Sequence, residues 1–301
     1  MRSILTALSF LSVVTLTQFV RGQTTQPAWQ TIAGGQLILR PFRCAPYPHS
    51  SRADGFKGRA TTYPVSPHYT DSTVGLFIPP HYRVGESVDY VVYFHGHNNH
   101  VSKVIPQYRL AEQFAETKVN SILIVPQGPK DAADSGGGKL ELDNGGFERL
   151  VDEITQFLKA DEKIQTTRVG RIALASHSGG YRVTAAILDS GGLKDHITDV
   201  LLLDSSYGSL ENFATWAAAS PSHRMVSLYT HHLAAANKEL MDLLRVAKVD
   251  YGVLDEATVT DDELARPGTT FMATKVPHAE VPLVYFGRLV RPLKGKDAPQ
   301  K

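Results

Sequence analysis

Between Arg171 and Leu188 an apolar run gives way to a helical pattern with almost nothing between them. The run Arg-Ile-Ala-Leu-Ala, residues 171–175, is apolar enough to be buried on both faces, as strands of a parallel sheet are. Ser176-His177-Ser178-Gly179-Gly180 follows, and from Tyr181 to Leu188 the apolar side chains recur at helical spacing. A strand that becomes a helix within five residues tolerates no bulk around its turn. It also leaves the helix N-terminus, with its N–H groups and positive dipole end, beside whatever the turn displays. Here the turn displays Ser178, with small residues two positions away on either side.

The rest of the chain repeats strand and helix. Strand-like runs cover Gln36–Phe42, Thr73–Ile78, Val88–Phe94, Ser121–Val125, Val200–Leu203, Met225–Tyr229 and Thr269–Ala273. Helical patterns cover Val104–Thr117, Phe147–Leu158, Leu210–Ala218 and Leu233–Val246. This alternation predicts the α/β class, with a mostly parallel central sheet and helices on both faces. Few residues separate the strand end at Asp204 from the next helix, which leaves no room for a large cap domain. Gln23 to Thr31 reads as loose. Cys44 to Tyr69, rich in Pro, Gly, Ser and Arg, reads as surface loop. Gly136-Gly137-Gly138-Lys139 lacks the spacing of a phosphate loop and is expected to be a mobile loop near the site mouth. The expected organisation is a leader over 1–22, an N-terminal strand and loop segment over 23–72, a catalytic domain over 73–290 and a flexible tail over 291–301.

The leader reading rests on Met1-Arg2, the apolar run Ile4 to Val20, and small residues around Arg21-Gly22 that suit cleavage before Gln23. A membrane anchor is the alternative. The run is short for a span and lacks a basic stop-transfer flank, so the expectation is a secreted or periplasmic protein with no stable membrane insertion after cleavage. Cys44 is the only cysteine, so no intramolecular disulfide supports the fold. With 31 Lys+Arg against 30 Asp+Glu, the chain also lacks the basic excess of a nucleic-acid binder.

Set between a strand and a helix, the small-x-Ser-x-small turn resembles the nucleophile elbow of α/β-hydrolases, with Ser176 where the first glycine usually stands. The resemblance extends over roughly Val74 to Pro282 and is nearest to secreted feruloyl-esterase and polyester-depolymerase relatives. It implies Ser178 as nucleophile, followed along the chain by an acid and then a histidine. His278 follows the last buried strand, in Val276-Pro277-His278-Ala279-Glu280, where the superfamily carries its base. Asp204 ends the strand Val200–Leu203 and is the candidate acid. Many relatives place that acid after the next strand, but this chain has Tyr229-Thr230-His231-His232 there, and Asp255 is the rival.

The His95-Gly96 pair after the strand Val88–Phe94 resembles the esterase oxyanion loop. It implies backbone donors around Gly96 and His97, with Gly179 supplying the other. His95 and Tyr181 are the candidate substrate contacts. The expected reaction is two-step acyl transfer on an ester-containing small-molecule or polymeric substrate, with no cofactor and no metal. Three alternatives remain open at this point. An amidase or peptidase would use the same triad, and an inactive fold could serve as a binding module. A zinc hydrolase could use His95, His97 and His100, although Asn99 stands where that zinc signature has Asp.

Overall fold

The computed structural model describes residues 27–296. The leader expected over 1–22 and residues 297–301 lie outside the described residues. In chain order the strands are β1 (Gln30–Ile32), β2 (Gly35–Pro41), β3 (Phe56–Lys57), β4 (Thr62–Tyr63), β5 (Thr73–Ile78), β6 (Val88–Phe94), β7 (Ile122–Pro126), β8 (Val169–His177), β9 (Ile197–Leu203), β10 (Arg224–Tyr229), β11 (Tyr251–Leu254) and β12 (Gly268–Ala273). The helices are α1 (Val65–His68), α2 (Val101–Gln107), α3 (Leu110–Thr117), α4 (Lys139–Leu142), α5 (Gly146–Ala160), α6 (Tyr181–Ser190), α7 (Leu210–Ala219), α8 (Ala234–Val246), α9 (Asp261–Ala265) and α10 (Val281–Val290).

Ten strands form one sheet in the order β1-β2-β5-β7-β6-β8-β9-β10-β12-β11, and β3 pairs with β4 separately. From β7 to β11 every neighbouring pair is parallel. The antiparallel pairs β1/β2, β2/β5 and β5/β7 close one edge. This is the expected α/β architecture, and alternate side chains explain its two faces. Tyr90, Val92 and Phe94 of β6 point to one side, where Phe147 of α5, Val183 of α6, Phe213 of α7 and Leu240 of α8 cover them. Val91 and Tyr93 point to the other, under α2, α3 and α10. The connection after β9, residues 204–209, carries no cap domain.

Several expectations change in detail. The helix expected over Val104–Thr117 is two, because Pro106 disturbs the first and Arg109 takes a left-handed φ of +49°. Gln30 and Thr31, expected loose, pair with Leu37 and Gln36. Tyr251–Leu254, in the long segment after α8, adds an edge strand beside β12. Residues 291–296 form a 3-10 helix with Leu293 buried, where a flexible tail was expected. The segment Cys44–Tyr69 is not merely surface. Tyr47 and Tyr69 are buried edge to face, and Arg52 pairs with buried Asp134 at 2.7 Å. Tyr47 Oη donates to Gly136 O at 3.0 Å.

That packing fixes the glycine loop expected to be mobile. Gly136, Gly137 and Gly138 are buried. Gly138 has φ +52°, and a Cβ there would meet Pro46 O at 2.0 Å. Cys44 is half-buried, and burial together with Glu153 pushes its thiol pKa up, the opposite of activation. Among the described residues no helix is long and apolar enough to cross a membrane.

Candidate active site

Strand β8 ends at His177, and Ser178 enters a single 3-10 turn with φ +53° before α6 begins. A left-handed conformation costs a non-glycine residue about 1–2 kcal/mol and persists only where neighbours leave no alternative. The neighbours here are tight. A Cβ on Gly180 would lie 2.7 Å from Phe94 O, and one on Gly179 would lie 2.6 Å from the His97 ring. Ser176 is fully buried, which explains a small residue at that position. Ser205 Oγ donates to Ser178 O at 2.8 Å, tying the turn to the loop after β9.

Asp204 stands at the head of that loop, fully buried and also at positive φ, +51°. His278 Nδ1 lies 2.5 Å from its Oδ2. The carboxylate is pinned from the neighbouring strand, with Thr230 N donating to Oδ1 at 2.7 Å and Thr230 Oγ1 to Oδ2 at 2.8 Å. Burial raises the carboxyl pKa, but the bonds from His278 and Thr230 outweigh it and hold Asp204 below its usual value. A carboxylate only accepts, so His278 carries its proton on Nδ1 and keeps a lone pair on Nε2. Asp255 is elsewhere. It is exposed and accepts from Ala257 N at 3.0 Å within its own turn.

The loop after β6 comes down on the other side of Ser178. A Cβ on Gly96 would fall 2.5 Å from Ser178 Cβ and 3.1 Å from its Oγ, so only glycine fits. The structure thus brings Gly96, His97 and Gly179 together around Ser178. His97 Nε2 and Ser135 Oγ are 2.8 Å apart, and burial lowers the His97 pKa. His95 departs from its expected role as a substrate contact. Its buried Nδ1–H donates to Gly96 O at 2.8 Å, and Nε2 accepts from Gly128 N at 3.1 Å. Both nitrogens are occupied, and burial pushes the pKa down to about 4. His95 therefore shapes the loop from within.

The same contacts remove the three-histidine zinc arrangement. His95 turns inward, His97 goes to Ser135, and His100 Nδ1 goes to Asp131 Oδ1 at 2.9 Å. Among the described residues, the ligand-type side chains that do converge, within 4.8 Å, are Asp204, His232 and His278. Each of the three is engaged in the hydrogen bonds of this site.

Sequence reasoning missed three residues here. His177 Nε2–H donates to His278 O at 3.0 Å, and the two imidazoles lie tilted against each other with centroids 4.6 Å apart. His232 Nδ1 is 2.6 Å from Thr230 Oγ1, and its Nε2 is 2.8 Å from Tyr207 Oη. The Tyr207 ring sits 6.0 Å from that of Tyr181. The available signal was the pair His231-His232 standing where relatives carry the acid.

Comparison with solved structures agrees on the fold. A feruloyl esterase module from Clostridium thermocellum, solved with sinapinate, matches over 89% of this chain and 93% of its own, with TM-score 0.54 and 11% identity. A protein designated FAE matches over 87% of this chain and 88% of its own, with TM-score 0.51 and 9% identity. The chain has the α/β-hydrolase fold. No protein-family model matches the sequence, and no curated protein sequence matches it.

Proposed function

We propose that this protein is a serine hydrolase of carboxylic esters, with Ser178 as nucleophile, His278 as general base and Asp204 as the acid that orients it. The observation that carries the reading is the joint geometry of two strained residues. Ser178 is held at φ +53° on a strand-to-helix turn, and Asp204, at φ +51°, fixes the His278 tautomer through a 2.5 Å bond. In the mechanism, His278 Nε2 takes the Ser178 proton as Oγ attacks the ester carbonyl. The developing oxyanion lies between the backbone N–H groups of His97 and Gly179, beside Gly96. His278 then gives the proton to the departing alcohol, and water repeats the sequence to release the acid. The steps need no cofactor.

An ester is preferred over an amide because the feruloyl esterase module carries the same fold at similar length. The absence of a cap over the site suits bulky, carbohydrate-linked or polymeric esters. Export follows from the leader over residues 1–22, and protein recovered from the medium or periplasm should begin at Gln23.

Fluorophosphonate labelling with the modified peptide located by mass spectrometry tests the nucleophile. Labelling at Ser178, abolished in Ser178→Ala, is the expected result. Folded protein that takes no label would overturn the serine mechanism.

A further inference from the structure

With His232 protonated on Nδ1 alone, the hydrogen bonds beyond the triad run in one consistent set of directions. Thr230 Oγ1 gives its single proton to Asp204 Oδ2, since a carboxylate cannot donate. Thr230 Oγ1 therefore accepts from His232 Nδ1–H at 2.6 Å. Neutral His232 then has a bare Nε2, and Tyr207 O–H donates to it at 2.8 Å. With its proton spent on His232, the Tyr207 oxygen keeps its lone pairs free to accept, and its ring faces His278. Asp204 thus orients two arms. One is His278, and the other runs through Thr230 and His232 to Tyr207.

The second arm lies where an alcohol must leave. The departing oxygen takes its proton from His278, so the alcohol portion lies next to that ring. The Tyr207 ring meets His278 edge to face at 6.3 Å. Both members of the arm are open to a ligand, Tyr207 being 43% exposed and the His232 side chain 42%. Tyr181, beside Tyr207, extends the same wall as an apolar ring face.

We propose that Tyr207, polarised by His232, is a specificity residue of an alcohol-side subsite, its oxygen accepting a hydrogen bond from a free hydroxyl of the departing alcohol. Resting on the serine-hydrolase reading, this names the substrate class as esters whose alcohol carries a free hydroxyl beside the esterified oxygen, as in a glycerol or sugar unit. Aromatic faces against C–H groups and a fixed acceptor for O–H suit a polyhydroxylated alcohol better than an alkyl one.

The test compares 2,3-dihydroxypropyl and propyl esters of one acid as substrates. Wild type should favour the dihydroxypropyl ester in kcat/KM. Tyr207→Phe should lower the ratio of the two about tenfold, the value of one lost hydrogen bond. His232→Phe leaves the phenol in place but frees its proton, and should lower the ratio as well. Fluorophosphonate labelling of Ser178 in both variants reports an intact nucleophile. A ratio within twofold of wild type in both variants, with Ser178 still labelled, would overturn the subsite, as would an equal fall for both esters. Wild-type protein that neither labels nor hydrolyses either ester would instead sink the serine reading beneath it.

Discussion

Strand β9 carries a buried aspartate at each end, and the two have been given opposite surroundings. Asp199, near its start, has no exposure and faces a guanidinium. Arg224 Nε lies 2.5 Å from Oδ1, and the other Arg224 nitrogens donate to Leu264 O and Leu289 O at 2.8 and 3.0 Å. Asp204, just past the other end, is equally buried but has no Arg or Lys partner among the described residues. Its donors are a backbone N–H, a hydroxyl and an imidazole. A charge matched by a cation that never titrates is chemically inert, whereas one matched by an imidazole can answer a proton arriving on it. The C-terminal ends of parallel strands are where open α/β sheets bind ligands, and both left-handed residues of the proposed triad lie there.

The largest effects should come from removing each charge while keeping its shape. Asp204→Asn should cut kcat/KM by about 10⁴-fold, because an amide no longer enforces the His278 tautomer. Its urea midpoint should move far less than that of Asp199→Asn. The latter leaves Arg224 buried without its anion and should lose about 3–5 kcal/mol of stability, with turnover per folded molecule retained. Urea unfolding and steady-state kinetics on the two variants separate these outcomes. Loss of turnover in fully folded Asp199→Asn would end the distinction between the two ends.

Acid should find the same asymmetry. His95 and His177 are buried beside Ser178 and held neutral, with pKa values pushed down by burial to about 4 and about 3. In the unfolded chain each titrates near 6.5. Between pH ~6.5 and ~4 the unfolded chain therefore binds protons that the folded chain refuses, and stability falls as pH drops through that window. Above it these two histidines add no pH dependence. Each contributes on the order of 2 kcal/mol of loss by pH 5. Urea midpoints at pH 7.5 and pH 5 measure the sum, and His95→Gln should remove about half of the difference. Hydrogen exchange should quicken first around Gly96 and Gly179, and later around Asp199 and Arg224.

What could be read from sequence followed from how locally it is encoded. Thr73–Ile78 and Val88–Phe94 are observed with the expected boundaries, because a strand buried on both faces is a contiguous apolar run. The turn at Ser178 is legible for a similar reason, since strand, small residues and helix adjoin. His278 and Asp204 could be ordered along the chain, and their meeting depends on the parallel order of β9, β10 and β12. Tyr207 and the buried Tyr47 and Tyr69 left no local signal. Each sits in a polar, turn-rich stretch, and its importance lies in a partner distant in sequence. His95 is expected from its residue type to touch substrate, while its two ring nitrogens are committed to backbone groups at positions 96 and 128.

The smallest effect tests how the serine end keeps its base in place. His177 follows Ser176 on the strand, donates to the His278 carbonyl at 3.0 Å and lies tilted against its ring, while Tyr108 meets the His177 ring edge-on at 5.7 Å. Being held neutral, it does not repel the imidazolium that His278 would become in the proposed reaction. Its Nδ1 is buried with no partner, a group whose desolvation costs about 1–3 kcal/mol. His177→Phe keeps an aromatic ring, removes that orphaned nitrogen and loses the bond to His278 O. The two stability terms oppose each other, so the urea midpoint should change by less than about 1 kcal/mol. Turnover should not be spared, because the base has lost an anchor. A fall of about tenfold confined to kcat, with KM unchanged, is expected, the equivalent of one hydrogen bond lost from the transition state. A fall appearing in KM instead would place His177 on the path of substrate binding, and would mean that the serine end is held in place by the substrate as much as by the fold.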